Sequence, residues 1–224
     1  MKDIIILGAG GEALEITEVI KLINRKENTW NIVGYLDDNK KLIGTTVSEY
    51  KVLGTIDDAV NYPNAYFISS IGHPNRPELR GEIRKRIPFG DDKLATIIHP
   101  SVVICPTAKI GNGCFIQANC VLSTHTVIGN NVLIAYSSNV GHESTIQDDS
   151  VVGVNVTITS DVHIGKSVYI GPGAIFRNDL SVGDNTLIGI GSVVTESVPK
   201  DTKYICQFRP FKFPIGEENP YKYE

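Results

Sequence analysis

Two hydrophobic rhythms divide this chain. From Ile98 every sixth residue is aliphatic or Phe, through Ile104, Ile110, Ile116 and onward to Val194, seventeen positions without a slip. With 42% hydrophobic residues overall, a random comb of that length would collect about seven. A step of six fits neither the 3.6-residue period of a helix nor the two-residue period of a plain strand. Each hexad instead reads as one short flat strand and a corner. The fifth position is small or β-branched, as at Val102, Ala108, Cys114 and Cys120, with Leu180 the bulky exception. Positions one and five therefore point inward. Gly, Asn and Asp crowd positions two to four, as in Gly111-Asn112-Gly113 and Gly183-Asp184-Asn185, and these residues tolerate positive φ. Ile-Gly or Val-Gly recurs at 110, 128, 164 and 182, with Ile146-Gln147 in the gap, so one coil takes 18 residues, or three hexads. Three flat faces make a triangular prism, and residues 18 apart stack at strand spacing, ~4.8 Å. The pattern predicts a parallel β-helix over residues 96–198.

The first 95 residues follow a different rhythm. Ile4-Ile5-Ile6-Leu7 reads as a buried strand, Gly8-Ala9-Gly10-Gly11-Glu12-Ala13 as a glycine turn, and Leu14 to Ile23 as an amphipathic helix. This is a GxGxxA fingerprint in strand–turn–helix context. Its glycines let backbone N–H groups approach a phosphate at a helix N-terminus, which marks Gly10, Gly11 and Glu12 as candidate ligand contacts. A second strand over 31–36 ends at Asp37-Asp38, where an acid can accept a ribose hydroxyl or contact a base. Tyr66 to Gly72 reads as a third strand, leading into a loop that opens with His73. Gly72 and His73 are further candidates there. Glu78 to Ile87 reads as a helix. The sum is a small Rossmann-like α/β domain. It has room for one mononucleotide half rather than the two that a dinucleotide fold needs. That favours a nucleotide-linked sugar over NAD, with a purely structural use of the glycines as the alternative.

Composition narrows the functional classes. A net charge of −4 without a basic block argues against nucleic acid as partner. The apolar N-terminal run is too short for a membrane span or a signal peptide, which points to the cytoplasm. The four cysteines form no CxxC pair, and Cys114 and Cys120 fall on inward positions, so they read as packed thiols in a reducing compartment.

The motifs Leu7-Gly8-Ala9-Gly10-Gly11, Gly34-Tyr35-Leu36-Asp37-Asp38, Ser70-Ile71-Gly72, Ile98-His99-Pro100-Ser101 and Val140-Gly141-His142-Glu143 lie along residues 3 to 198. Together with Ile188-Gly189-Ile190-Gly191-Ser192-Val193-Val194-Thr195, they make the chain resemble the hexapeptide-repeat sugar O-/N-acetyltransferases of the bacillosamine and sialic-acid type. The resemblance implies a left-handed β-helix and a homotrimer. It also implies acetyl-coenzyme A as acyl donor, bound between neighbouring β-helices, a nucleotide-linked amino sugar on the N-terminal domain, and no metal. His142 then maps to the general base and Glu143 to its orienting carboxylate. Ser160, Gly171, Pro172, Gly189 and Ile190 map to the cofactor groove. Independently of the family, His142 occupies position three of its hexad and projects outward. Its neighbours at ±18 are Thr124 and Ser160, and Glu143 stacks over His125, which predicts a histidine–carboxylate contact between coils.

The chain departs from the family at three places. Val151 stands where relatives often carry a second His. Ala135-Tyr136 replaces Asn-Thr, and Glu12-Ala13 replaces His-Gly. The reading is an N-acetyltransferase acting on a nucleotide-linked amino-deoxy sugar for surface glycan synthesis. An O-acetyltransferase on a sialic-acid-like sugar and a non-catalytic sugar-nucleotide binder are the alternatives. A zinc hydratase of the γ-carbonic-anhydrase kind lacks its histidine at Gln147. The tail, residues 199–224, is expected to cap the open end of the β-helix.

Overall fold

The computed structural model describes residues 1–206. The N-terminal part is a five-stranded sheet of order β3-β4-β2-β1-β5, built from β1 (Lys2–Leu7), β2 (Trp30–Leu36), β3 (Thr46–Val47), β4 (Tyr50–Gly54) and β5 (Tyr66–Ser69). All pairings are parallel except β3 with β4, a short antiparallel edge hairpin. The helices are α1 (Gly11–Asn24) and α2 (Leu79–Arg86). The continuous apolar run of β1 is buried on both sides, as parallel strands are. Ile5 and Leu7 pack with Phe67 and the α2 residue Ile83, while Ile4 and Ile6 pack with Ala13, Ile16 and Ile20 of α1.

The hexad comb folds as the spacing predicts, into a three-faced parallel β-helix. Seven strands form one face, from Ile97–Ile98 through Leu133–Ile134, Val151–Val152 and Tyr169–Ile170 to Lys203–Tyr204. Six form the second, Val103–Ile104 to Val193–Val194, and five the third, Lys109–Ile110 to Leu180–Val182. Register is 18 residues through the coils, for example Leu133 opposite Val151 and Asn139 opposite Thr157, and shortens to 16 at the last rung, where Leu187 faces Lys203. The comb residues from Ile116 to Val194 are buried and form one core with the small inward residues. Three consecutive inward positions are serine, and each hydroxyl is satisfied twice. Ser138 Oγ donates to Gly153 O at 2.7 Å and accepts Val156 N–H at 3.0 Å, and Ser144 and Ser150 repeat the pattern one and two hexads on. A narrow interior can hold a hydroxyl only on such terms.

Each corner turns on one residue with positive φ. From Gly113 to Gly191 every sixth residue lies in the left-handed region, fourteen in succession, most of them Gly, Asn, Asp or Ser. The sequence placed the corners at positions two to four of the hexad, and the structure assigns the left-handed residue to position four. His125 and Glu143 are the two members of this series without a small side chain suited to that conformation.

The first face of the β-helix is covered by the N-terminal domain and is here called the docking face. Phe115, Leu133, Ala135 and Val151 on its outer surface share a core with Ile4, Ile16 and Ile20. The chain passes between the parts without a free linker, because Ala95 N–H still donates to Phe67 O at 2.7 Å and Ile97–Ile98 is already the first rung. Lys203–Tyr204 adds the last strand of the docking face, and the Tyr204 hydroxyl donates to Val193 O at 3.1 Å. The remainder of the tail, residues 207–224, including Arg209, lies outside the described residues.

Asn119 tests the corner rule without complication, because its side chain is exposed and its φ is +61°. Asn119→Val is expected to lower the unfolding free energy by about 1–2 kcal/mol. Asn119→Gly is expected to be neutral within about 0.5 kcal/mol. Urea unfolding of both variants checks this.

Candidate active site

In the N-terminal sheet the chain leaves β1 toward β2 and later returns to place β5 on the other side of β1. The carboxyl ends of β1 and β5 therefore flank a topological switch point, where open α/β sheets bind ligands. The glycine turn is built for this place. Gly8 has φ +94°, and a Cβ there would sit 2.5 Å from Ser70 Oγ. Ser70 anchors the crossing by donating its Oγ to Leu7 O at 2.8 Å. A Cβ at Gly10 or Gly11 would meet nothing within 4 Å, and no side chain caps α1 at Gly10. The start of α1 thus presents backbone to open space.

The acids after β2 have partners of their own. Asp37 Oδ2 accepts Ala9 N–H at 2.8 Å and so braces the glycine turn, while Oδ1 accepts Asn39 N–H at 2.7 Å. Asp38 is gripped by the Arg86 guanidinium, at 2.6 Å from Nη1, which holds its carboxyl below the usual range. His73 is exposed, and its Nδ1 accepts Asn75 N–H at 3.2 Å.

Two adjoining cavities open where the switch point meets the docking face. One, of about 210 Å³, is lined by Glu12, Ser70 and Gly72 from the N-terminal domain and by Val151, Tyr169 and Pro172 from the β-helix. The other, of about 330 Å³ and mainly apolar, is lined by Pro74, Tyr169, Gly171, Pro172, Gly189 and Ile190. Tyr169 and Pro172 belong to both. Four of the five residues expected at the cofactor, Gly171, Pro172, Gly189 and Ile190, come together in the apolar cavity. Val151, the departure from the family, fills the floor beside Gly72, where a Cβ on that glycine would lie 3.0 Å from Val151 Cγ2.

Glu12 is the charged group of the first cavity. Its Oε1 accepts Gln117 Nε2–H at 2.7 Å across the domain boundary. Burial raises its pKa; the Arg80 charge opposes that rise and Glu15 adds to it. Gln117, Tyr169 and the buried Arg80 escaped the sequence reading. The first two fall on outward positions of the comb, and only the docking of the domains shows what they face.

His142 and Glu143 stand elsewhere. They occupy the edge between the second and third faces, the edge opposite the docking face. Both are half exposed, with His142 Nδ1 and Glu143 Oε2 3.8 Å apart. Ser160 lies on this edge one coil further, next to Asp161, whose N–H donates to His142 O at 3.1 Å. The expected contact between Glu143 and His125 is not formed among the described residues. Glu143 turns toward the neighbouring His142 instead. One chain therefore brings Glu12 and Gly72 to the first cavity and four of the expected coenzyme residues to the second, leaves Asp37 and Asp38 engaged within the N-terminal domain, and holds the histidine pair and Ser160 on the far edge.

Residues 3–87 match the family model of the PglD N-terminal domain. That stretch is the strand–turn–helix domain that precedes the β-helix. The UDP-N-acetylbacillosamine N-acetyltransferase of Bacillus subtilis is 30% identical over 122 residues, 53% of this chain. The chain thus spans about half the length of that curated relative, 52%. The perosamine N-acetyltransferase of Caulobacter crescentus, solved as a histidine-to-asparagine variant with CoA and GDP-perosamine, shares the fold at 20% identity. Its TM-score is 0.78, over 91% of this chain and 93% of that one. The acetyltransferase domain of PglB from Neisseria gonorrhoeae, solved with acetyl coenzyme A, superposes with a TM-score of 0.79 at 22% identity, over 90% and 95% of the two chains. A small α/β domain followed by a triangular β-helix is therefore a fold shared with the two solved structures over about nine-tenths of each chain. Among the described residues no group of three or more His, Cys, Asp or Glu could hold a metal, and no helix is long and apolar enough to cross a membrane.

The raised pKa of Glu12 has a definite sign in stability. The folded state binds the Glu12 proton more tightly than the unfolded chain does, so ionisation at higher pH weakens folding. Glu12→Gln keeps an acceptor for Gln117 and removes the charge. It is expected to raise Tm by roughly 1–3 °C at pH 7.5, and the gain should vanish as the pH falls below the ordinary carboxylate range. Thermal unfolding across pH checks this. A gain that persists at acid pH would contradict the assignment.

Proposed function

We propose that this protein is an acetyl-coenzyme A-dependent N-acetyltransferase that acts on the amine of a UDP-, dTDP- or GDP-linked amino-deoxy sugar. The observation that carries the reading is the pair of joined cavities. The switch-point crevice suits a sugar nucleotide, the apolar cavity beside it suits a pantetheine arm, and Tyr169 and Pro172 line both. The relatives named above, with CoA or acetyl coenzyme A and GDP-perosamine bound in their structures, support the same chemistry.

The reaction is direct transfer. The neutral sugar amine attacks the thioester carbonyl while His142 takes the amine proton. The tetrahedral intermediate expels the coenzyme A thiolate, which takes up a proton. Glu143 orients the imidazole and stabilises its charged form. An acyl-enzyme on cysteine has no support in the geometry. Cys114 and Cys120 are buried in the coil, and burial pushes the Cys114 thiol up to about 11.

Within one chain His142 lies across the β-helix from the cavities, so the site needs a second copy. The surface that supports a homotrimer is the second face, which separates the two edges. Its outward row includes Val103, Val121, Ile175 and Val193, between 36% and 58% exposed. Exposed aliphatic residues in register mark an association surface. Packing around a three-fold axis would carry the His142 edge of one copy to the Tyr169–Ile190 groove of its neighbour. Acetyl-coenzyme A and sugar nucleotides as substrates would support a cytoplasmic location.

The test is a mass-shift assay with acetyl-coenzyme A and UDP-, dTDP- or GDP-linked amino sugars, set against the corresponding hydroxyl sugars. Gain of one acetyl group on the amine supports the reading. Transfer only to a hydroxyl would replace it with O-acetylation, and no transfer to either would leave a binding protein. His142→Ala is expected to cut turnover by about 10²–10⁴-fold with coenzyme A affinity nearly unchanged. Glu143→Gln should slow turnover less and displace the pH profile. Lost coenzyme A binding with intact turnover number would remove His142 from the role of base.

A further inference from the structure

Arg80 is fully buried at the boundary between the domains. Its Nη1 donates to two carbonyls of the loop after β5, Ser69 O at 3.1 Å and Ile71 O at 2.9 Å. Its Nε donates to the carbonyl of Asn131, a left-handed corner residue of the β-helix. Asn131 answers with its own side chain, Nδ2 donating to Arg80 O at 3.2 Å and to Asp149 Oδ1 at 2.8 Å. Contact is close here. A Cβ on Gly81 would lie 2.9 Å from Asp149 Oδ2, and Arg84 Nη1 lies 3.4 Å from carboxylate oxygens of both Asp148 and Asp149. One guanidinium thus ties the loop that lines the first cavity, through Ser70 and Gly72, to one edge of the β-helix.

Stability alone does not explain this arrangement. Arg80 Nη2 is buried without a hydrogen-bond partner among the described residues. A buried cation with an unpaired donor carries a desolvation cost that an apolar side chain would avoid, at the expense of three unpaired carbonyls. What an apolar side chain could not do is hold three carbonyls from two domains in fixed relation. Burial lowers the guanidinium pKa to about 10, so the group stays charged at neutral pH.

We propose that Arg80 is a positioning residue that fixes the Ser69–Gly72 loop against Asn131 and so sets the geometry of the crevice that takes the nucleoside diphosphate. The inference rests on the nucleotide-sugar reading above and extends it to a residue that touches no substrate. Arg80→Lys keeps the charge but brings a single nitrogen, which cannot span the three carbonyls. Asn131→Gly keeps the left-handed backbone and the carbonyl that Arg80 Nε reaches, and removes the return tie from Asn131 Nδ2 to Arg80 O and Asp149, which loosens the joint from the β-helix side.

The experiment titrates the full chain with UDP, dTDP and GDP and, separately, with coenzyme A, and follows amide exchange. Both variants are expected to lose about tenfold or more in affinity for the nucleoside diphosphate that the unaltered protein binds best. Coenzyme A affinity should stay within about twofold. Exchange should quicken at residues 69–73 and not along the β-helix core. Equal loss for both ligands, or unchanged diphosphate affinity, or unchanged exchange in the loop, would overturn the positioning role. If Arg80→Lys does not fold, Asn131→Gly decides by the same criteria. If the unaltered protein binds none of the three diphosphates, the nucleotide reading falls and this inference falls with it. If it binds one and the variants match it, only the role of Arg80 falls.

Discussion

The interval of 18 residues between stacked rungs governs this molecule. Each backbone N–H of a rung finds its carbonyl one coil away, so every position is committed to the residues 18 before and after it. A single coil has a narrow interior and cannot admit two large side chains. Hence the comb alternates one aliphatic residue with one small one, and three consecutive small positions can be serine because each hydroxyl is passed between a carbonyl and an amide. The same interval makes the outside of the prism a ruled surface. A functional group placed on one corner is held at a known height and edge, and the rigidity of its setting comes from the neighbouring coils rather than from its own contacts.

That rigidity explains why one face can carry a second domain. The Rossmann-like sheet uses α1 on the side toward the β-helix, and Phe115, Leu133, Ala135 and Val151 complete that core. The two parts are therefore not independently finished. Their seam is also where the cavities lie, because the glycine turn and the Ser69–Gly72 loop are aimed at the docking face. The seam combines apolar packing with a few directional ties, from Gln117 to Glu12 and from Arg80 to Asn131. Apolar contact supplies the adhesion and the polar ties supply the register.

The β-helix was legible in the sequence because its period is enforced at every coil, and the position-four residues merely sharpened the corner. The strand–turn–helix of residues 2–24 was legible for a similar reason, a buried run followed by glycines. The edge hairpin over 46–54 was not, since two residues of β3 carry no periodicity. The site was legible in pieces. His142 and Glu143 could be placed on an edge, and Gly171 with Ile190 on another, by counting hexads. The partners of Asp37 and Asp38, the turn of Glu143 away from His125, and the burial of Arg80 all depend on long-range contacts that leave no local pattern.

Charge is the remaining constraint on what the crevice can accept. A carboxylate at the start of α1 would repel a diphosphate arriving at the same turn, yet Glu12 sits there. Three features soften the conflict. Burial disfavours its ionised form, Gln117 draws Oε1 toward the β-helix, and the Arg80 cation of the same domain offsets part of its charge. The neutral carboxyl also gains a donor that an anionic ligand could use. Glu12 therefore need not exclude an anion. An anion held in this crevice would bind more tightly with Glu12 protonated, the same direction that protonation of a histidine there would give, whereas a glycine would bring no such dependence.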